Sequence, residues 1–164
     1  MNTDVMFSSA TGEWETPQDL FDFLNGLFGF TLDAAASEKN AKCSRYFTKE
    51  DNALVQEWNG RVWVNPPYGR EIGGFVEKGA RSVFSREAEV VVMLLPARTD
   101  TSWWHDWVMK AQEIWLIRGR LKFGGAKNSA PFPSCVVVFA RVGREENPDL
   151  YQLERNDEGK WEVW

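Results

Sequence analysis

A chain of 164 residues, 43% hydrophobic and rich in aromatics, is enough for one folded core and too short for several. Two cysteines and a single histidine leave no ligand set for a zinc cluster, no disulfide framework and no Ser-His triad, so metal catalysis is set aside. A net charge of −5 argues against a protein living on nucleic acid, but seven acids and three bases fall between Arg144 and Trp164, which leaves residues 1–143 at −1. No apolar run is long enough for a membrane span and the N-terminus lacks a signal-peptide pattern, so the expected compartment is a reducing cytoplasm.

Met1 to Glu13 is polar and unpatterned and is expected to be flexible. Thr16-Pro17 reads as a helix start, with Thr16 as N-cap and Pro17 at the first helical position. Leu20, Phe21, Leu24, Leu27 and Phe28 follow at helical spacing, and Gly29 supplies the stop. Phe30 to Asp33 predicts a short strand with an acid at its carboxyl end. Asp33 then either caps the next turn or offers a carboxylate to a ligand. Lys39 to Asn59 has no strong periodicity.

Val62-Trp63-Val64 predicts the end of a buried strand, and it runs into Asn65-Pro66-Pro67-Tyr68. Two prolines fix φ and donate no N–H, so sheet pairing must stop and the backbone leaves as a stiff arch. That arch offers the Asn65 amide carbonyl, the Pro66 backbone carbonyl and the Tyr68 ring. Two converging acceptors suit an NH2 group, and an aromatic beside them suits a planar ring that carries it. The plainer account is a proline turn with Tyr68 as a half-buried cap.

Ile72 to Phe84 predicts an amphipathic helix. Glu89 to Pro96 is a continuous apolar run of the kind found in central strands. Ala97-Arg98-Thr99-Asp100 follows it, and Arg98 is either a phosphate contact or a solvated loop charge. Thr101 to Ala111 predicts a helix whose Trp103, Trp104 and Trp107 pack the core. After a strand over 113–117 comes a Gly-hinged segment with four bases (Arg118, Arg120, Lys122, Lys127) and no acid, suited to backbone neutralisation with base stacking. Ala130-Pro131-Phe132-Pro133 leads into a last strand over 134–139. Phe132 either faces Tyr68 across an aromatic slot or is an ordinary core residue.

Asn65-Pro66-Pro67-Tyr68 resembles the catalytic motif of S-adenosylmethionine-dependent amino methyltransferases. Thr16-Pro17, Leu32-Asp33-Ala34-Ala35, Asn40-Ala41-Lys42-Cys43, Arg118 to Phe123 and Ala130 to Ser134 extend the resemblance to the small phage-type DNA N6-adenine methyltransferases. The resemblance implies an α/β chain with an abridged Rossmann-like methyltransferase fold, a mostly parallel sheet with helices on both faces. The charge distribution then divides the chain into a methyltransferase domain over 1–143 and an acidic C-terminal tail over 144–164.

The resemblance also implies S-adenosylmethionine as cofactor and adenine in double-stranded DNA as substrate. Asn65, Pro66, Pro67 and Tyr68 would be catalytic, acting on a flipped-out base. Thr16, Pro17, Asp33, Ala35 and Asp51 would bind the cofactor, although Ala34-Ala35-Ala36-Ser37 replaces the usual Gly-rich turn. Arg70, Arg98, Arg118, Arg120, Lys122, Lys127 and Phe132 would contact DNA. A protein glutamine amide is the alternative substrate, and a non-catalytic nucleic-acid-binding module is the alternative without chemistry.

Overall fold

The computed structural model describes residues 14–141 and 147–164. The first thirteen residues, expected to be flexible, and the expected boundary at 143/144 therefore lie outside the described residues. Seven strands form one sheet: β1 (Leu32–Asp33), β2 (Gly60–Val64), β3 (Ala88–Pro96), β4 (Glu113–Ile117), β5 (Ser134–Ala140), β6 (Asp149–Arg155) and β7 (Trp161–Val163). Their order is β1-β2-β3-β5-β4-β6-β7.

The class is α/β as expected, but the sheet is mixed. The β1–β2, β2–β3 and β4–β6 pairs are parallel, while β3–β5, β5–β4 and β6–β7 are antiparallel. The reason lies in β5, which returns from the basic loop and inserts between β3 and β4, against the direction of both. The second reversal is a short turn, with the Asn156 N–H donating to the Lys160 carbonyl (2.8 Å) and Gly159 at φ 78°. A connection this short can join only antiparallel strands. The segment expected to be an acidic tail thus supplies two strands, β6 pairing along the whole of β4.

Helix α1 (Gln18–Phe28) and helix α2 (Ile72–Phe84) cover opposite faces. Trp63 lies opposite Val92 in the ladder, and Phe21 of α1 packs on Trp63 at 5.6 Å. Val91 and Met93 point the other way, toward α2. There Gly79 permits close approach, because a Cβ would sit 3.1 Å from the Met93 sulfur and 3.2 Å from Val91. Gly29 ends α1 in the left-handed region (φ 63°) and donates to the Asn25 carbonyl at 2.8 Å, the expected stop.

Two helix boundaries move. Pro17, not Thr16, occupies the N-cap position of α1, and no side chain caps it. The helix expected over 101–111 is only α3 (Ser102–Asp106), capped by Thr101 and followed by a 3-10 turn over Val108–Lys110. Trp104 is buried, whereas Trp107 sits half-buried between the Arg81 and Lys110 cations, each 4.9 Å from its ring. Between β1 and β2 the one helical element is a 3-10 turn at Ala53–Val55. Trp58 anchors that stretch, fully buried and donating its indole N–H to the Ala53 carbonyl at 2.9 Å.

Strand direction sets the geography of one sheet edge. β1, β2, β3 and β4 run the same way, so their carboxyl ends share that edge. Asp33, the proline arch, Arg98 and the basic loop all leave from it, the edge where ligands collect in open α/β sheets.

Candidate active site

The arch starts at Asn65, one residue beyond β2. Its side-chain amide is clamped by the segment that precedes α1: Nδ2 donates to the Trp14 carbonyl and to Thr16 Oγ1, the latter at 3.0 Å. A backbone carbonyl can only accept, so the group facing Trp14 must be the NH2. Asn65 Oδ1 is thereby turned the other way, and it is buried with no partner. A buried acceptor left unpaired costs about 1–3 kcal/mol, so this oxygen is a candidate to receive a donor from a ligand or an ordered water.

Asn65 lines a small cleft at this sheet edge. Trp14, Glu15, Thr16 and Trp63 line it with Asn65, together with Asp33, Ala35, Asn40 and Lys42. Asp33 is buried, and its two oxygens accept from the backbone N–H groups of Ala35 (3.2 Å) and Lys42 (3.0 Å). Burial pushes its carboxyl above the usual carboxylate range, with the two N–H donors and the Lys42 charge opposing. The carboxylate thus caps the 34–42 loop, the first of its two expected roles, and Asp33 is also among the residues that line the cleft. The Lys42 side chain is only 8% exposed, with Nζ donating to Gln18 Oε1 (2.8 Å) and 3.9 Å from Glu15 Oε1.

Several residues sit elsewhere than expected. Asp51 is exposed and lies outside the cleft lining, accepting from the N–H and hydroxyl of Thr48 at 2.8 and 3.0 Å. It closes its own turn, because no second strand exists to carry it to the ligand edge. Thr16 caps no helix and instead holds Asn65. Pro17 starts α1 beside the cleft without lining it.

Tyr68 is not an open stacking surface. It is 3% exposed, its hydroxyl donates to the Leu94 carbonyl of β3 at 2.9 Å, and burial pushes its phenol well above the ordinary range. The Phe132 ring touches it edge to face at 5.5 Å, so the slot expected between these two rings is closed. Phe123 and Trp14 complete the cluster, Trp14 lying 5.2 Å from Phe123 and 5.4 Å from Phe132. This cluster locks the arch, the basic loop and the segment before α1 together. The Gly124 N–H adds a bond to the Glu15 carbonyl at 2.9 Å. A consequence is that Tyr68→Phe should cost about 1 kcal/mol of stability, by leaving Leu94 without that donor, while turnover stays near wild type. Thermal unfolding and a rate measurement on one preparation check this, and a collapse in turnover would assign the hydroxyl a chemical role.

All six proposed DNA-contacting cations are exposed: Arg70, Arg98, Arg118, Arg120, Lys122 and Lys127. Arg98 lies close enough to Tyr68 to act on it electrostatically, which ties it to the arch. Arg118 is paired with Glu154 of β6 at 3.2 Å. The loop holding them is anchored by buried Leu121 and Phe123. Both cysteines are held protonated, Cys43 pushed up to about 11 by burial and the Asp33 charge, Cys135 to about 12 by burial.

Five residues that line the cleft, Trp14, Glu15, Asn40, Lys42 and Trp63, are not among the candidates the sequence offers. Asn40 and Lys42 enter the sequence argument only as parts of a resembling segment, and Trp14 and Glu15 not at all. The one signal available was their spacing from Thr16 and Asp33.

The chain belongs to the DNA N-6-adenine-methyltransferase (Dam) family, whose profile matches residues 6–156. It is 34% identical over 135 residues to the DNA N-6-adenine-methyltransferase of Haemophilus phage HP1 (strain HP1c1), covering 77% of each chain. It is 38% identical over 111 residues to the protein of the same name from Escherichia phage T1, covering 66% of this chain but 45% of that one. The chain thus matches less than half the length of the phage T1 relative.

Proposed function

We propose that this chain transfers a methyl group to the N6 amine of adenine in DNA, with S-adenosylmethionine as donor. One observation carries the reading: the buried, unpartnered Oδ1 of Asn65, fixed in orientation by the Trp14 carbonyl and Thr16. Family membership agrees with it, as does the parallel β1-β2-β3 order with α2 joining β2 to β3.

The residues present fit the amino-acid half of the donor. The buried Asp33 carboxylate suits an ammonium, and Lys42, almost wholly enclosed beside it, suits a carboxylate. Ala35 lets the loop backbone approach. When bound, the donor would supply a sulfonium methyl and leave as the neutral thioether, while the amine gives up one of its two protons. Asn65 Oδ1 and the Pro66 carbonyl accept the two hydrogens of the target amine. That withdraws the nitrogen lone pair from conjugation with the ring and fixes its direction, so positioning and preorganised dipoles provide the acceleration. Adenine in a duplex is stacked and paired, so the base must leave the stack. Reopening of the contact between Tyr68 and Phe132 would admit it, while Arg70, Arg98 and the basic loop hold the phosphates.

Asp33 gives this reading a pH signature. Only the carboxylate attracts the ammonium, and burial keeps a protonated fraction to higher pH than an ordinary aspartate would. Cofactor binding should therefore release a proton and tighten as pH rises through the Asp33 titration. Asp33→Asn should bind about 10- to 100-fold more weakly and lose that dependence. Calorimetric titration of both proteins at mildly acidic and neutral pH tests this. Wild-type affinity that is flat with pH returns Asp33 to loop capping alone.

The substrate is tested by incubating the protein with labelled cofactor and either plasmid DNA or total cell protein. Label in DNA supports the reading. Label confined to protein would favour a glutamine amide, and failure to bind cofactor at all would favour a non-catalytic module.

A further inference from the structure

Asn65 Oδ1 is not the one buried orphan among the side chains of the residues that line the cleft. The indole N–H of Trp14 is also buried without a partner, and Trp14 lines the same space. One of these groups accepts and the other donates. They are linked through a single residue: the Trp14 main-chain carbonyl holds the Asn65 amide, and the Trp14 side chain presents its own N–H. The indole is 8% exposed and packs edge to face against Phe123 and Phe132. A buried unpaired donor carries a desolvation penalty just as the acceptor does.

A ring with an exocyclic NH2 beside an unprotonated ring nitrogen satisfies both orphans. On adenine these are N6–H and N1. We infer that the Trp14 indole N–H donates to N1 of the target adenine while Asn65 Oδ1 accepts from N6, making Trp14 a specificity-determining residue. Guanine and thymine present the reverse pattern on that edge, a carbonyl beside a ring N–H. They would set acceptor against acceptor and donor against donor, and a site built to hydrogen-bond rejects such mismatches strongly. Cytosine shares the pattern of adenine, so its exclusion falls to ring size. The inference rests on the adenine reading given above.

The test replaces the methylated adenine of a duplex by 1-deazaadenine, which lacks N1 but keeps the amine, or by 7-deazaadenine, which keeps both. Wild-type kcat/KM should fall about 10- to 100-fold on the 1-deaza duplex and change little on the 7-deaza one. Trp14→Phe, which keeps an aromatic ring and removes the N–H, should lose a similar factor on adenine and suffer no further loss on 1-deazaadenine. A 1-deaza penalty that persists undiminished in Trp14→Phe overturns the inference, because the ring nitrogen then has another partner. If Trp14→Phe does not fold, equal wild-type rates on the two analogues overturn it and a selective 1-deaza loss upholds it. Failure of the adenine reading looks different: wild type then forms no N6-methyladenine on unmodified DNA, and this inference falls with it.

Discussion

Asn65→Ala is expected to slow methyl transfer by about 10²- to 10³-fold, the scale seen when one preorganised hydrogen-bonding group is removed. Cofactor affinity should stay near wild type, since Asn65 is assigned to the target amine. Stability should change little. The variant loses the bonds to the Trp14 carbonyl and Thr16 Oγ1, but it also removes a buried acceptor that had no partner. Asn65→Asp separates the two jobs of this side chain. It keeps an acceptor for the amine but turns a second oxygen toward the Trp14 carbonyl, where a donor stood. That variant should be both slower and less stable than wild type. Single-turnover rates, cofactor titration and thermal unfolding on the three proteins check the pattern, and near-wild-type turnover in Asn65→Ala would remove the centre of the account.

The second large effect belongs to the basic loop. With Arg118 already paired to Glu154, the free positive charge rests on Arg120, Lys122 and Lys127, all exposed. Changing these three to alanine should flatten the log–log salt dependence of DNA affinity by about 2.7, at roughly 0.9 per phosphate contact. Raising salt from about 50 to 200 mM should therefore weaken wild type roughly 40-fold more than the variant. The loop itself should stay folded, because its anchors are buried Leu121 and Phe123 and the Gly124 bond to Glu15. Cofactor affinity should not move. Affinity measured at three salt concentrations tests this, and an unchanged steep slope would move the phosphate contacts to Arg70 and Arg98.

The legible parts of this molecule were those fixed by local chemistry. Two prolines determine the arch whatever surrounds it, and the run from Val90 to Leu95 could only be a central strand. Gly29 ended its helix where the spacing required. What the sequence hid were long-range contacts and backbone partners. The clamp on Asn65 is a main-chain carbonyl 51 residues away, and main-chain atoms leave no mark on side-chain pattern. β6 was masked by its acids: in Asp149 to Arg155 only Leu153 is buried, too weak an alternation to stand out against the charge. Asp51 was placed by analogy with a second strand, and the segment between β1 and β2 forms none. Tyr68 was expected to offer its face, but nothing local reveals that its hydroxyl reaches Leu94 across the sheet.

The central claim is that Asn65 presents its orphaned oxygen to the N6 amine of adenine. Its most direct measurement is nucleoside analysis of DNA treated with cofactor and either wild type or Asn65→Ala. The account predicts N6-methyladenine from wild type and a loss of two or more orders of magnitude from the variant. Methyl groups on cytosine N4 or on protein alone, or equal N6-methyladenine from both proteins, would contradict it.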